Sequence, residues 1–69
     1  MPEQCAALID ALIALRKERG WSQQELSEAC GLTQSVVARI ECKKSSPTII
    51  TLYKIVSALG ADLMVEKTM

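Results

Sequence analysis

The chain has 69 residues, 49% hydrophobic and 23% charged, with eight basic against eight acidic side chains and a formal net charge of zero. That length suits one small domain spanning 1–69, the composition is too apolar for a disordered tail, and no apolar run approaches the roughly 18 residues a membrane span needs. Histidine is absent and Cys5, Cys30 and Cys42 form no C-x-x-C pair, so the sequence offers no nucleophile–base pair and no metal-ligand cluster, and the reading is of a protein that is not an enzyme and takes no cofactor or metal.

Met1–Leu15 lacks a basic start and a small-residue cleavage site, and it carries Asp10 inside its apolar stretch. No signal peptide is expected, and an odd number of reduced thiols fits the cytoplasm. The two prolines (2 and 47) and three glycines (20, 31 and 60) punctuate the chain at intervals that suit short helices.

The first predicted helix runs from about Pro2 to Arg19. Pro2 and Glu3 suit its first turn, and Arg16, Lys17 and Arg19 its last. Cys5, Leu8, Leu12 and Leu15 recur at three- and four-residue steps and are read as its buried stripe, with Ile9 and Ile13 beside it. Gly20 stops the helix.

Ser22-Gln23-Gln24-Glu25 is a capping box. It predicts a second helix to about Cys30, with Leu26 and Ala29 facing inward. Gly31 turns the chain, Leu32 anchors the turn, and Thr33 caps a third helix from Gln34 to about Glu41, with Val37 and Ile40 inside. A polar loop, KKSSP, leads to Thr48, the cap of a fourth helix. Its apolar face is read as Ile49, Leu52, Ile55, Val56 and Leu59, and Gly60 closes it. Ala61–Glu66 then alternates with a period of two, which predicts a short strand. A lone strand needs a partner, most simply its symmetry mate, through Leu63, Met64 and Val65.

The stretch from about 22 to 41 therefore reads as helix, glycine turn, helix, with the second helix showing its outer side to solvent. That side carries Gln34, Ser35, Ala38 and Arg39, with Val36 close by. Glutamine pairs bidentately with adenine, arginine with guanine, and small apolar side chains meet the thymine methyl. The preceding helix would cross the phosphate backbone, offering Gln23 and its N-terminal amides.

W-S-Q-Q-E-L-S-E-A-C-G-L-T-Q-S-V-V-A-R-I-E resembles the helix-turn-helix of the Xre/Cro phage-repressor family, and the likeness continues through P-T-I-I-T-L-Y-K-I-V-S-A-L-G and back to L-R-K-E-R-G. It covers roughly Leu12 to Gly60. The resemblance implies an all-α fold, a compact lambda-repressor-like bundle of four to five short helices. It implies a sequence-specific DNA-binding regulator, a repressor acting as a dimer on a pseudopalindromic operator. By the same resemblance, Gln34, Ser35, Val36, Ala38 and Arg39 would meet bases. Ser22, Gln23, Thr33, Lys43, Lys44 and Ser45 would meet phosphates. Arg16 and Glu41 would form a structural ion pair between the first helix and the end of the third.

Two positions depart from that family's pattern. Lys43 stands where the family often has glycine, which points to a loop of different shape, and Ile13 replaces a polar or basic residue, which adds exposed apolar surface. The tail A-D-L-M-V-E resembles antitoxin-type regulators of the HipB kind, where a short C-terminal strand pairs across the dimer; that implies a toxin partner. A stand-alone phage repressor is the rival. A third reading is a protein-interaction module that kept the fold without DNA binding, favoured by the zero net charge and the neutral Ser35 and Ala38.

Neutrality itself is a cancellation. Residues 31–54 carry Arg39, Lys43, Lys44 and Lys54 against Glu41 alone, whereas residues 1–30 carry five acidic against three basic side chains. The positive portion holds the expected recognition helix and the loop after it, so a balance of zero does not exclude double-stranded DNA.

Overall fold

The computed structural model describes residues 3–62, and these form four helices in chain order: α1 (Glu3–Glu18), α2 (Gln23–Cys30), α3 (Gln34–Glu41) and α4 (Ile49–Ala58). The starts of α2, α3 and α4 are chemically marked. Ser22 Oγ accepts from the Glu25 N–H at 3.1 Å while the Glu25 carboxylate accepts from the Ser22 N–H at 2.9 Å, completing the capping box. Thr33 and Thr48 cap α3 and α4 by accepting from Val36 N–H and Thr51 N–H.

Helices α1, α3 and α4 end in one hydrogen-bond pattern. At α1 the N–H groups of Gly20 and Trp21 reach Lys17 O and Arg16 O, and at α4 those of Gly60 and Ala61 reach Ser57 O and Val56 O. At α3, Lys43 and Lys44 do the same with Ile40 O and Arg39 O, both at 3.0 Å. This paired closure requires a left-handed residue at its corner. Glycine supplies it elsewhere, but at the end of α3 it is Lys43, at φ 64. A loop of different shape was expected here. The left-handed corner is instead retained, at a strain of about 1 kcal/mol for a residue with a Cβ.

The core is built from Ile9 and Leu12 of α1, Leu26 and Cys30 of α2, Val37 and Ile40 of α3, and Leu52, Ile55, Val56 and Leu59 in and just after α4. Fully burying side chains of this kind is worth roughly 1.5–3 kcal/mol each. Helix α2 packs on both α3 and α4, and α1 rests against α3. Ser27 is the buried polar residue of α2; its hydroxyl donates to Gln24 O at 2.7 Å, which satisfies it inside the turn.

Several sequence expectations are corrected. The buried stripe of α1 is Ile9, Leu12 and Arg16; Cys5 and Leu8 are exposed and Leu15 is only partly covered. Helix α1 is apolar around more than half its girth, so periodicity alone does not choose its inner face. The bond from Arg16 to α3, described below, does. Ile13 packs partly against the core rather than lying open. In α2, Ala29 is exposed, and Ser27 and Cys30 face inward with Leu26. Leu32 is partly buried against the core. Ile49, expected on the inner face of α4, is 70% exposed, and its neighbour Ile50 is 68% exposed.

The described residues contain no strand, and Ala61 and Asp62, where one was expected to begin, are irregular. The remainder of the expected strand, with the dimerisation residues Leu63, Met64 and Val65, lies outside the described residues. Among the described residues no helix is long and apolar enough to cross a membrane, and no group of acidic or cysteine side chains is placed to hold a metal.

Candidate nucleic-acid interface

Helix α3 is clamped to the bundle from below. Val37 and Ile40 are buried at 1% and 3% exposure. With those two positions inside, the 3.6-residue period leaves Gln34, Ser35, Val36 and Arg39 facing outward, and all four are exposed, while Ala38 is half-buried. The outward set presents an amide, a hydroxyl, a branched methyl pair and a guanidinium on one short helix. These are the groups that distinguish base edges in the major groove.

The end of α3 is fixed by Glu41. Arg16 Nε donates to Glu41 Oε2 at 2.7 Å and Arg16 Nη2 donates to Oε1 at 2.9 Å, a two-point fork with both side chains about nine-tenths buried. The third arm of the guanidinium, Nη1, donates to Trp21 O at 2.7 Å. One cation thus joins the last turn of α1, the start of α2 and the end of α3. The Arg19 guanidinium lies 4.8 Å from the Trp21 ring centroid, a stacking contact that covers the same corner from outside.

Gln23, at the first position of α2, extends this network outward. Its Nε2 donates to Glu41 Oε1 at 3.1 Å, and its Oε1 accepts from Gln34 Nε2 at 2.9 Å. The chain of bonds runs from buried Arg16 through Glu41 and Gln23 to exposed Gln34. A side chain assigned to phosphate and one assigned to bases are therefore tied to each other. The two residues lie on different helices, so nothing local in the sequence announces the contact.

The other expected phosphate contacts fall at the starts of α2 and α3 and in the loop after α3. Ser22 and Thr33 are exposed at the starts of α2 and α3, with their hydroxyl oxygens accepting from backbone amides. Each hydroxyl proton remains able to donate. Lys44 is exposed and Ser45 is half-buried in the loop after α3. Lys43 Nζ lies 2.7 Å from Asp10 Oδ1 on α1, an exposed ion pair that sequence inspection missed. Asp10 lies 33 positions from Lys43 in the chain, and only the packing of α1 beside α3 brings the two together.

A helix-turn-helix family model matches residues 12–64. The transcriptional regulator SutR of Escherichia coli is 44% identical over 53 residues, which cover 77% of this chain and 30% of SutR. The antitoxin HigA1 of Mycobacterium tuberculosis is 41% identical over 61 residues, covering 88% of this chain and 41% of HigA1. The chain thus spans less than half the length of either relative. Among solved structures, a chain of a toxin–antitoxin module from Streptococcus pneumoniae superposes with a TM-score of 0.79 at 37% identity, covering 97% of this chain and 74% of that one. With the family model extending over α2, the turn and α3 and on through α4, the chain belongs to the helix-turn-helix family HTH_3.

Proposed function

We propose that the chain is a sequence-specific DNA-binding transcriptional regulator, a repressor that grips a pseudopalindromic operator as a homodimer in the cytoplasm. The observation that carries this reading is the outward face of α3. Gln34, Ser35, Val36 and Arg39 are exposed over a buried Val37–Ile40 seam, and the loop that follows brings Lys43 and Lys44. Helix α3 enters the major groove and its side chains, with Ala38, meet base edges. Ser22, Gln23, Thr33, Lys43, Lys44 and Ser45 hold the phosphates on either side. One eight-residue helix spans only a few base pairs, so a second copy about one helical turn away supplies the rest of the affinity. Leu63, Met64 and Val65 are the residues we assign to pairing the two copies. Neither a catalytic group nor a cofactor enters this reading.

The experiment is a salt titration of duplex binding by fluorescence anisotropy, first on random-sequence DNA and then on sequences selected by the chain from a random pool. Affinity should fall steeply with salt on both, and the selected duplex should remain tighter by orders of magnitude. Absence of binding at low salt would leave an interaction module that kept the fold and lost DNA.

A second role as the antitoxin of a toxin–antitoxin pair is supported by the likeness to HigA1 and to the pneumococcal module. Ile49, Ile50 and Tyr53 also stand 70%, 68% and 54% exposed on the first turns of α4, an apolar surface suited to a protein partner. Co-expression with the product of an adjacent reading frame, followed by co-purification and a growth assay, tests that role.

A further inference from the structure

Lysine is a poor choice for the corner at the end of α3. The backbone there is left-handed, at φ 64, and among the described residues the other three positive-φ positions are glycines. The Lys43 side chain does not repay that strain by stability: it is 35% exposed and Asp10 is 61% exposed, and an open ion pair of this kind adds little to folding. What the lysine does gain is a position. Its ammonium group is fixed beside the end of the recognition helix, 2.7 Å from a carboxylate carried by a different helix.

We propose that Asp10 is a positioning residue for DNA binding, an internal anion that holds the Lys43 ammonium in place and yields it to a backbone phosphate. This rests on the DNA-binding function proposed above. A carboxylate and a phosphate oxygen compete for the same donor in the same way, so the pair holds the Lys43 ammonium at Asp10 while lowering its attraction for DNA. Asp10 thereby restrains the phosphate-driven part of affinity and leaves a larger share of binding to the base contacts of α3. The neutral overall charge of the chain is of a piece with this, because weak non-specific attraction favours discrimination between sites.

The test is a double-mutant cycle on the full chain, combining Asp10→Asn with Lys43→Gly. Glycine suits the left-handed corner, so Lys43→Gly folds and should hold or raise Tm while weakening DNA binding; a purely structural lysine would lower Tm instead. Asp10→Asn alone should tighten binding about two- to fivefold at low salt. It should also steepen the slope of log affinity against log salt by up to about 0.9. The gain should be equal on the selected operator and on random duplex, because phosphates carry no sequence information. In the Lys43→Gly background, Asp10→Asn should change neither affinity nor slope. An equal gain in both backgrounds would mean that Asp10 acts only through overall charge, and would overturn the proposal. No gain from Asp10→Asn, or no loss from Lys43→Gly, in a wild type that binds DNA normally would overturn it while leaving the DNA-binding function standing. A wild type that binds no duplex at any salt overturns both.

Discussion

Gln34 on the outward face of α3 donates to Gln23 on α2 at 2.9 Å, and Gln23 donates onward to Glu41 at 3.1 Å. Gln34 therefore does not wave freely in solvent. Its amide is oriented through a chain of bonds anchored at buried Arg16. If Gln34 presents its donor and acceptor to adenine, as proposed, it loses rotamer freedom on binding, and part of that loss is taken in advance by the bond to Gln23.

Gln23→Ala should accordingly do two things. If Gln23 meets a phosphate and Gln34 a base, as proposed, the substitution removes one phosphate contact, which weakens binding to every sequence, and it releases Gln34, which blurs preference at one base pair. The loss at the operator should be about 1 kcal/mol. Binding to a panel of operators with single base changes separates the effects. A loss equal across the whole panel would mean that Gln23 does not orient Gln34.

Glu41 bears on stability as well as on the orientation of Gln23. Its carboxylate receives both arms of the Arg16 fork and the Gln23 amide, with its side chain only 10% exposed. Glu41→Ala leaves a nearly buried guanidinium unpaired, and breaking such a pair costs roughly 3–5 kcal/mol. A domain of this size holds only about that much stability in total, so the variant should be largely unfolded at 25 °C by circular dichroism. Replacing both partners, Arg16→Met with Glu41→Leu, should recover most of the loss. A Glu41→Ala protein that unfolds in urea within about 1 kcal/mol of wild type would show that the pair is not the clamp described.

The parts of this arrangement that the sequence discloses are the local ones. Ser22 with Glu25, Thr33 and Thr48 mark helix starts within three residues of themselves, and α3 is found at Gln34–Glu41 as its spacing predicts. The inner face of α1 is not legible, because Cys5, Leu8, Ile9, Leu12, Ile13 and Leu15 together cover most of that helix with apolar groups. The outcome depends on where Arg16 meets Glu41, 25 residues away. The same limit applies to the site. Which residues face outward on α3 follows from its period, whereas the bonds Gln23–Gln34 and Lys43–Asp10 exist only once the helices are packed. Left-handed Lys43 runs against local preference altogether, since the hydrogen bonds that close α3 outweigh the strain at one residue.

Arg39 is exposed one position before buried Ile40, in the last turn of α3. If its guanidinium takes a guanine edge bidentately, Arg39→Ala should cost about 1–3 kcal/mol at the operator and relax preference at one base pair in each half-site. Selection from a random pool, repeated with the variant, reads this directly as a lost letter in the recovered motif. An unchanged motif would move Arg39 from the base-reading set to the phosphate-binding set.

Lys44 should behave in the opposite way. It follows the left-handed corner, with its N–H bonded to Arg39 O at 3.0 Å, and its ammonium group is available to the sugar–phosphate backbone. Lys44→Ala should weaken binding to selected and random duplexes by the same factor and lower the salt slope by about one. A loss confined to the selected operator would instead place Lys44 at a base.

Dimerisation is assigned to Leu63, Met64 and Val65, and a truncation tests it cleanly if the cut is placed by the packing. Ala61 rests against the core beside Ala58, and its N–H closes α4 on Val56 O at 3.0 Å. Removing it would damage the bundle as well as any interface. A chain ending at Asp62 keeps that closure and removes only 63–69. It should retain the helical circular dichroism of the full chain while sedimentation equilibrium shifts from dimer toward monomer. Operator affinity should then fall far more than affinity for random duplex, because the energy gained by joining two half-sites is lost while each copy keeps its own phosphate contacts. A truncated chain that sediments with the same association state as the full one would exclude these residues from the interface, and the exposed Ile49, Ile50 and Tyr53 of α4 would become the surface to examine next.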